Sequence, residues 1–166
     1  TLSVNGESDK KGFDFFANRV GLDNFDSLKF GSPFDYEKQV TVYIEGHLPD
    51  PNQRDFIIEA SEAIKKYIAK TQGRAFVLFT SYSMLEEIAE QLSDWLKENE
   101  IKLFQQGSDI DRSTLLTRFK AEGRNVLLGT DSFCQGVHVP GEALSNVILV
   151  KLPFAVPDHP LLAGRL

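Results

Sequence analysis

One cysteine, one tryptophan and one methionine stand in 166 residues, so the chain closes no internal disulfide. For the same reason it builds no four-cysteine zinc or iron–sulfur site of its own. No apolar run approaches the ~20 residues that a membrane-spanning helix needs. The first residues, Thr1-Leu2-Ser3-Val4-Asn5-Gly6, have neither the basic nor the apolar region of a secretion signal. A cytoplasmic protein with no membrane partner is expected, and a lone thiol suits that reducing compartment. Cations are also in deficit: 18 Lys and Arg face 24 Asp and Glu, a net charge of −6. That excludes a uniformly basic nucleic-acid coat, but not a groove using a few cations and backbone amides.

Chemical motifs are equally sparse. There is no G-x-x-x-x-G-K-[ST] phosphate loop, no G-x-G-x-x-G dinucleotide fingerprint and no G-x-S-x-G elbow. His47, His138 and His159 stand far apart with no metal-ligand spacing, so no metal site is expected. A complete, self-contained active site is therefore not legible in this chain.

What remains is ordinary globular material: 42% hydrophobic and 25% charged residues, in a length that suits one domain. The 13 phenylalanines read as core packing. Phe13, Phe15, Phe16 and Val20 precede Gly21, which predicts a short helix ending there. Gly31-Ser32-Pro33-Phe34 reads as a loop. Val40, Val42 and Ile44 alternate with polar or aromatic neighbours, which predicts a strand. Phe56, Ile57, Ala60, Ile64, Tyr67 and Ile68 recur at helical spacing, with Gly73 as a stop.

Ala75-Phe76-Val77-Leu78-Phe79 is a continuous apolar run too short for a helix, hence a strand buried on both faces. Ser83 and Glu86 predict a capping box for a helix carrying Leu85, Ile88, Ala89, Leu92 and Leu96. A strand at 101–104, a helix around Leu115, Leu116 and Phe119, and strands at 126–128 and 147–150 complete the alternation. Helices alternating with non-alternating apolar strands predict an α/β fold, a doubly wound parallel sheet with helices on both faces.

In such sheets the chemistry lies past the carboxyl ends of the strands. Three segments qualify: Thr80-Ser81-Tyr82, Gln105-Gln106-Gly107 and Gly129 to Gly141. Hydroxyls and free amides at a helix start can hold a phosphate, and Tyr82 can stack on a base. Ser81 or Ser83 can equally be a plain helix cap. The loop from Gly129 offers three glycines and two hydroxyls, fit for close approach to a ligand or for a long structural turn. Cys134 admits a nucleophile reading with His138 as a candidate base, but nothing nearby clearly activates the thiol, and a small packed thiol is the plainer reading.

Taken in order, these segments resemble the second motor domain of superfamily 2 DNA helicases of the DinG/XPD-like family. Thr1-Leu2-Ser3 resembles the tail of that family's motif III, and Gly31-Ser32-Pro33-Phe34 its G-S-P-F loop. Phe76 to Tyr82 resembles motif IV, Gln106-Gly107 the strand-end Q-G pair, and Gly129 to Gly141 motif V. Leu152-Pro153-Phe154-Ala155-Val156-Pro157 matches the L-P-F-x-x-P segment that follows. The resemblance covers nearly the whole chain.

It implies a single RecA-like domain over residues 1–166, a fragment that starts at the tail of motif III and stops before motif VI. It further implies one lobe of an ATP-driven motor that unwinds duplex DNA 5′ to 3′. Thr80, Ser81, Tyr82, Gln106 and Thr130 would meet single-stranded DNA, and Gln135, Gly136 and His138 would meet nucleotide. ATP and Mg²⁺ would be shared with a missing first RecA-like domain, the only place for an iron–sulfur cluster. Arg165 lies in a Gly-Arg pair whose flanks do not match motif VI, so no arginine finger is assigned. Motif V also departs from the usual W-E-G-V-D, with Cys134, Gln135 and His138 in place of Trp, Glu and Asp. His for Asp exchanges an anion for a group that is neutral or cationic near pH 7.

Overall fold

The computed structural model describes residues 13–121, 123–130, 133, 137–139 and 141–152. Thr1-Leu2-Ser3, Cys134, Gln135, Gly136, Pro153 to Pro157, His159 and Arg165 lie outside the described residues. The chain divides into two units, residues 1–44 and 45–166.

The first unit holds two short helices, α1 (Asp14–Val20), ended at Gly21 as expected, and α2 (Tyr36–Gln39). The strand predicted at Val40, Val42 and Ile44 is not there. Val40 is extended, but residues 40–44 belong to no strand among the described residues, and Ile44 is 87% exposed. Alternation reports only that one face is apolar; a strand also needs a neighbour to take its backbone N–H and C=O groups.

The second unit carries α3 (Phe56–Thr71), β1 (Ala75–Phe79), α4 (Tyr82–Glu98), β2 (Lys102–Gln105), α5 (Arg112–Lys120), β3 (Asn125–Thr130) and β4 (Asn146–Leu149). The four strands form one parallel sheet in the order β2-β3-β1-β4. β1 lies between β3 and β4, with Ala75 opposite both Val126 and Asn146. Successive residues of a strand face opposite sides. Val77, Phe79, Val126 and Leu128 accordingly pack with Ile64, Ile68, Leu85, Ile88 and Leu92 of α3 and α4. Phe76 and Leu127 pack on the other side with Leu115 and Phe119 of α5. Helices thus cover both faces, and the expected doubly wound α/β architecture is the observed one.

Side-chain amides tie helix ends to strands. Asn125 donates through Nδ2 to the carbonyls of Phe119 (3.0 Å) and Ala121 (2.9 Å), closing the C-terminus of α5. Asn146 donates to the Tyr67 carbonyl at 2.9 Å and to Thr71 Oγ1 at 3.3 Å, fixing β4 to the end of α3. The Asn125 bonds satisfy carbonyls at the end of α5 that have no partner within the helix. Ahead of α3, Glu45 accepts from Lys66 Nζ (2.7 Å) and the Tyr67 hydroxyl (2.5 Å), and the Lys66 bond foremost holds its carboxyl below the usual range.

Candidate functional site

The carboxyl ends of β1, β2 and β3 lie side by side, because β3 pairs with both of the others. At the end of β1, Thr80 is exposed and Ser81 is the N-cap of α4. Ser81 is extended (φ −145°, ψ 151°) and its Oγ accepts from the Met84 N–H at 3.4 Å. Ser83 lies inside the helix, so the cap stands two residues before the expected Ser83–Glu86 box. Tyr82 is the first residue of α4 and about half exposed.

One hydrogen-bonded chain crosses all three strand ends. The backbone N–H of Gln106 donates to the Leu128 carbonyl at 2.9 Å, carrying the β2–β3 ladder one residue past the strand. The side-chain oxygen Oε1 of Gln106 accepts from the Thr130 N–H at 2.7 Å and from Thr130 Oγ1 at 3.0 Å. Its Nε2 donates to the Tyr82 hydroxyl. Gly107 sits beneath the tyrosine at φ +89°, in the left-handed region that favours glycine, and a Cβ there would lie 3.7 Å from Tyr82 Cε1.

Past β3, Phe133 is buried against the core. Its ring meets Phe76 edge-to-face, with centroids 6.3 Å apart at 86°. Gly129 makes room for both rings: a Cβ would stand 3.1 Å from Phe76 Cε2 and 3.2 Å from Phe133 Cδ1. From α5, Arg112 Nη2 donates to the Phe133 carbonyl at 3.0 Å, and its guanidinium carbon lies 5.2 Å from the ring centroid. Val137 and Val139 pack on the same cluster while His138 between them is exposed. Of the described residues past β3, Phe133, Val137 and Val139 are therefore held against this face of the core.

Of the expected site residues, Tyr82, Gln106 and Thr130 are joined directly, and Ser81 adjoins them as a cap. Thr80 and His138 are exposed and outside that chain of bonds, and Gln135 and Gly136 are not among the described residues. Thr130 ends a strand rather than opening a loop, since β3 runs two residues beyond the expected Leu128. Arg112 and Phe133 escaped the sequence reading. A signal existed: a cation in the first turn of a helix opposes the helix dipole, so it needs another partner.

Arg112 can sit there because Asp111 caps α5. Asp111 Oδ1 accepts from the N–H groups of Ser113 and Thr114, each at 3.0 Å. Hydrogen bonds from the Thr114 side chain, then its N–H, then Ser113, hold the carboxyl down at about 2. An unfolded aspartate titrates near 3.9, so the cap's contribution is complete above about pH 4 and is lost as pH falls through about 2. Asp111→Asn is expected to remove that part of the acid sensitivity. Urea unfolding of both forms from about pH 5 down to about pH 2 measures it; parallel pH profiles would contradict it.

The order of segments in this site matches a known family. The helicase C-terminal domain profile matches residues 64–166, which span β1 to β4 and the whole strand-end constellation. The chain belongs to the helicase C-terminal domain family. This helicase domain is 37% identical over all its 166 residues to the ATP-dependent DNA helicase YoaA of Haemophilus influenzae, covering 24% of that protein. It is 34% identical over 171 residues to the 3'-5' exonuclease DinG of Bacillus subtilis, with 99% of this chain and 18% of the relative covered. With the ATP-dependent helicase DinG of Mycobacterium tuberculosis it shares 35% identity over 170 residues, 99% of this chain and 24% of the relative. The helicase domain thus spans about a quarter or less of the length of these relatives. Among its described residues no helix is long and apolar enough to cross a membrane. No group of three or more His, Cys, Asp and Glu among them could hold a metal ion.

Proposed function

We propose that this chain is the second motor lobe of an ATP-dependent DNA helicase acting in the cytoplasm, in DNA repair or replication with 5′ to 3′ polarity. It grips single-stranded DNA with motifs IV and V, through Thr80, Ser81, Tyr82, Gln106 and Thr130. The observation that supports this best is the bond chain from Thr130 through Gln106 to Tyr82, which joins the segments resembling motifs IV and V at the carboxyl ends of the strands, where ligands bind in such folds. Two relatives carry the name ATP-dependent DNA helicase or ATP-dependent helicase, which supports the same substrate class.

ATP and Mg²⁺ are held between this lobe and a first RecA-like domain elsewhere in the parent protein, which supplies the phosphate loop and the metal carboxylates. An iron–sulfur cluster, where the parent has one, belongs to that first domain. From this lobe, Gln135, Gly136 and His138 face the nucleotide. Exposure of His138 between two anchored valines fits that role.

The departure at motif V favours a second reading, a RecA-like module that binds nucleic acid or a protein without coupling to ATP. DNA-stimulated ATP hydrolysis by the full-length protein separates the two. Under the motor reading His138→Asp is expected to lower turnover, since His138 has its own role at the nucleotide. A rise in turnover with the aspartate would identify a decayed site and favour the module.

A further inference from the structure

We propose that Gln106 is a positioning residue, one that aims the Tyr82 hydroxyl as a hydrogen-bond donor toward a phosphate oxygen of single-stranded DNA. This rests on the DNA-binding reading above and refines it at one residue: Gln106 serves the DNA through Tyr82 and not by touching it. The inference follows from the direction of the hydrogen bonds. The Thr130 backbone N–H can only donate, so the Gln106 atom facing it is the oxygen. The opposite end of the amide, turned to Tyr82, is then the NH₂ group, and the tyrosine oxygen is an acceptor there. A phenol that accepts keeps its own hydrogen to give away. Its natural partner is an acceptor with no hydrogens of its own, which describes a phosphate oxygen.

Among the described residues the bond from Gln106 is the one given to the Tyr82 hydroxyl. Tyr82 is the first residue of α4, with no preceding helical turn to pack against, and it is 48% exposed. Gln106, by contrast, is held by its backbone to Leu128 and by its Oε1 to Thr130. Both lone pairs of that oxygen are engaged, so Gln106 is a fixed post and Tyr82 is the tip it carries. Gly107 leaves the ring edge an ordinary contact distance from the backbone.

The test is a double-mutant cycle on the full-length protein, with fluorescence anisotropy of a labelled oligodeoxythymidylate as the readout. Tyr82→Phe removes the donor and keeps the ring; Gln106→Met removes the post at similar volume. Each is expected to weaken binding about tenfold, the scale of one hydrogen bond to a charged group. The double variant is expected to bind no more weakly than the weaker single one. Gln106→Glu supplies a second variant: its carboxylate still accepts from Thr130 but takes the Tyr82 hydrogen for itself, so it should lose at least as much as Tyr82→Phe. Losses that multiply to about a hundredfold in the double variant would show that Gln106 touches DNA directly, and would overturn the proposal. A different failure exposes the underlying reading: if Tyr82→Ala binds as tightly as the parent, DNA does not lie on this surface at all.

Discussion

Replacing Phe76 by alanine is expected to destabilise the unit of residues 45–166 by about 3–5 kcal/mol, the usual cost of emptying a buried phenylalanine site. The side chain is 3% exposed. Its ring touches Phe119 and Phe133, with both centroid distances 6.3 Å, so the vacancy cannot close without moving α5 or the segment after β3. Domains have only about 5–15 kcal/mol in hand, and the melting temperature should fall by roughly 10–20 °C. The exposed Ile58 is the control, where alanine should change little. Equal melting temperatures for the two variants would mean that the cluster on the α5 face does not hold this unit together. Phe133 loses its edge-to-face partner at the same time.

The purified 166-residue chain is expected to hydrolyse no ATP above buffer, with or without single-stranded DNA. Phosphoryl transfer needs a cradle for the phosphates, a metal held by carboxylates and a cation for the charge that develops. An arginine finger alone is worth about 10³–10⁵ in rate. The sequence has no phosphate-loop motif, and the described residues hold no carboxylate cluster fit for a metal. A phosphate-release assay at high enzyme concentration is the check. Saturable, DNA-stimulated turnover by this chain alone would sink the two-lobe reading, because every missing part would have to lie within these residues.

The parallel sheet was legible because its two inner strands, β1 and β3, are buried on both faces and abandon alternation, whereas β4 at the edge leaves Val147 and Leu149 half exposed. Ala75 to Phe79 and Val126 to Leu128 can be little else. Helix starts were harder: Ser81 and Ser83 are both hydroxyls before the same apolar stripe, and only the extended backbone at 81 decides between them. The strand expected at Val40 to Ile44 shows the opposite limit. Its local pattern is good, but pairing is a property of a neighbour and not of the segment itself. The candidate site was half legible. The strand-end rule brought the segments of Tyr82, Gln106 and Thr130 to attention one at a time, and the motif resemblance read each as facing a ligand. That Gln106 spends its amide on the other two is a fact of strand order, which no spacing encodes. Arg112 and Phe133 were missed for the same reason, since α5 and the end of β3 meet only after the chain has wound across the sheet.

Strand order also sets the sequence of events as the chain is made. Among the four described strands β1 comes first in the chain and lies inside the sheet, yet both its neighbours, β3 and β4, come later. The nearest strand in sequence, β2, is not beside it at all. Until Asn125 onward has been synthesised, Ala75-Phe76-Val77-Leu78-Phe79 has no ladder to join and no sheet to hide in, although α3 and α4 can already shelter one of its faces. Pairings this distant in sequence pay their loop entropy before any contact repays it, and they fold slowly. The hazard in this domain's life is therefore concentrated early, on a nascent five-residue apolar run awaiting partners still inside the ribosome.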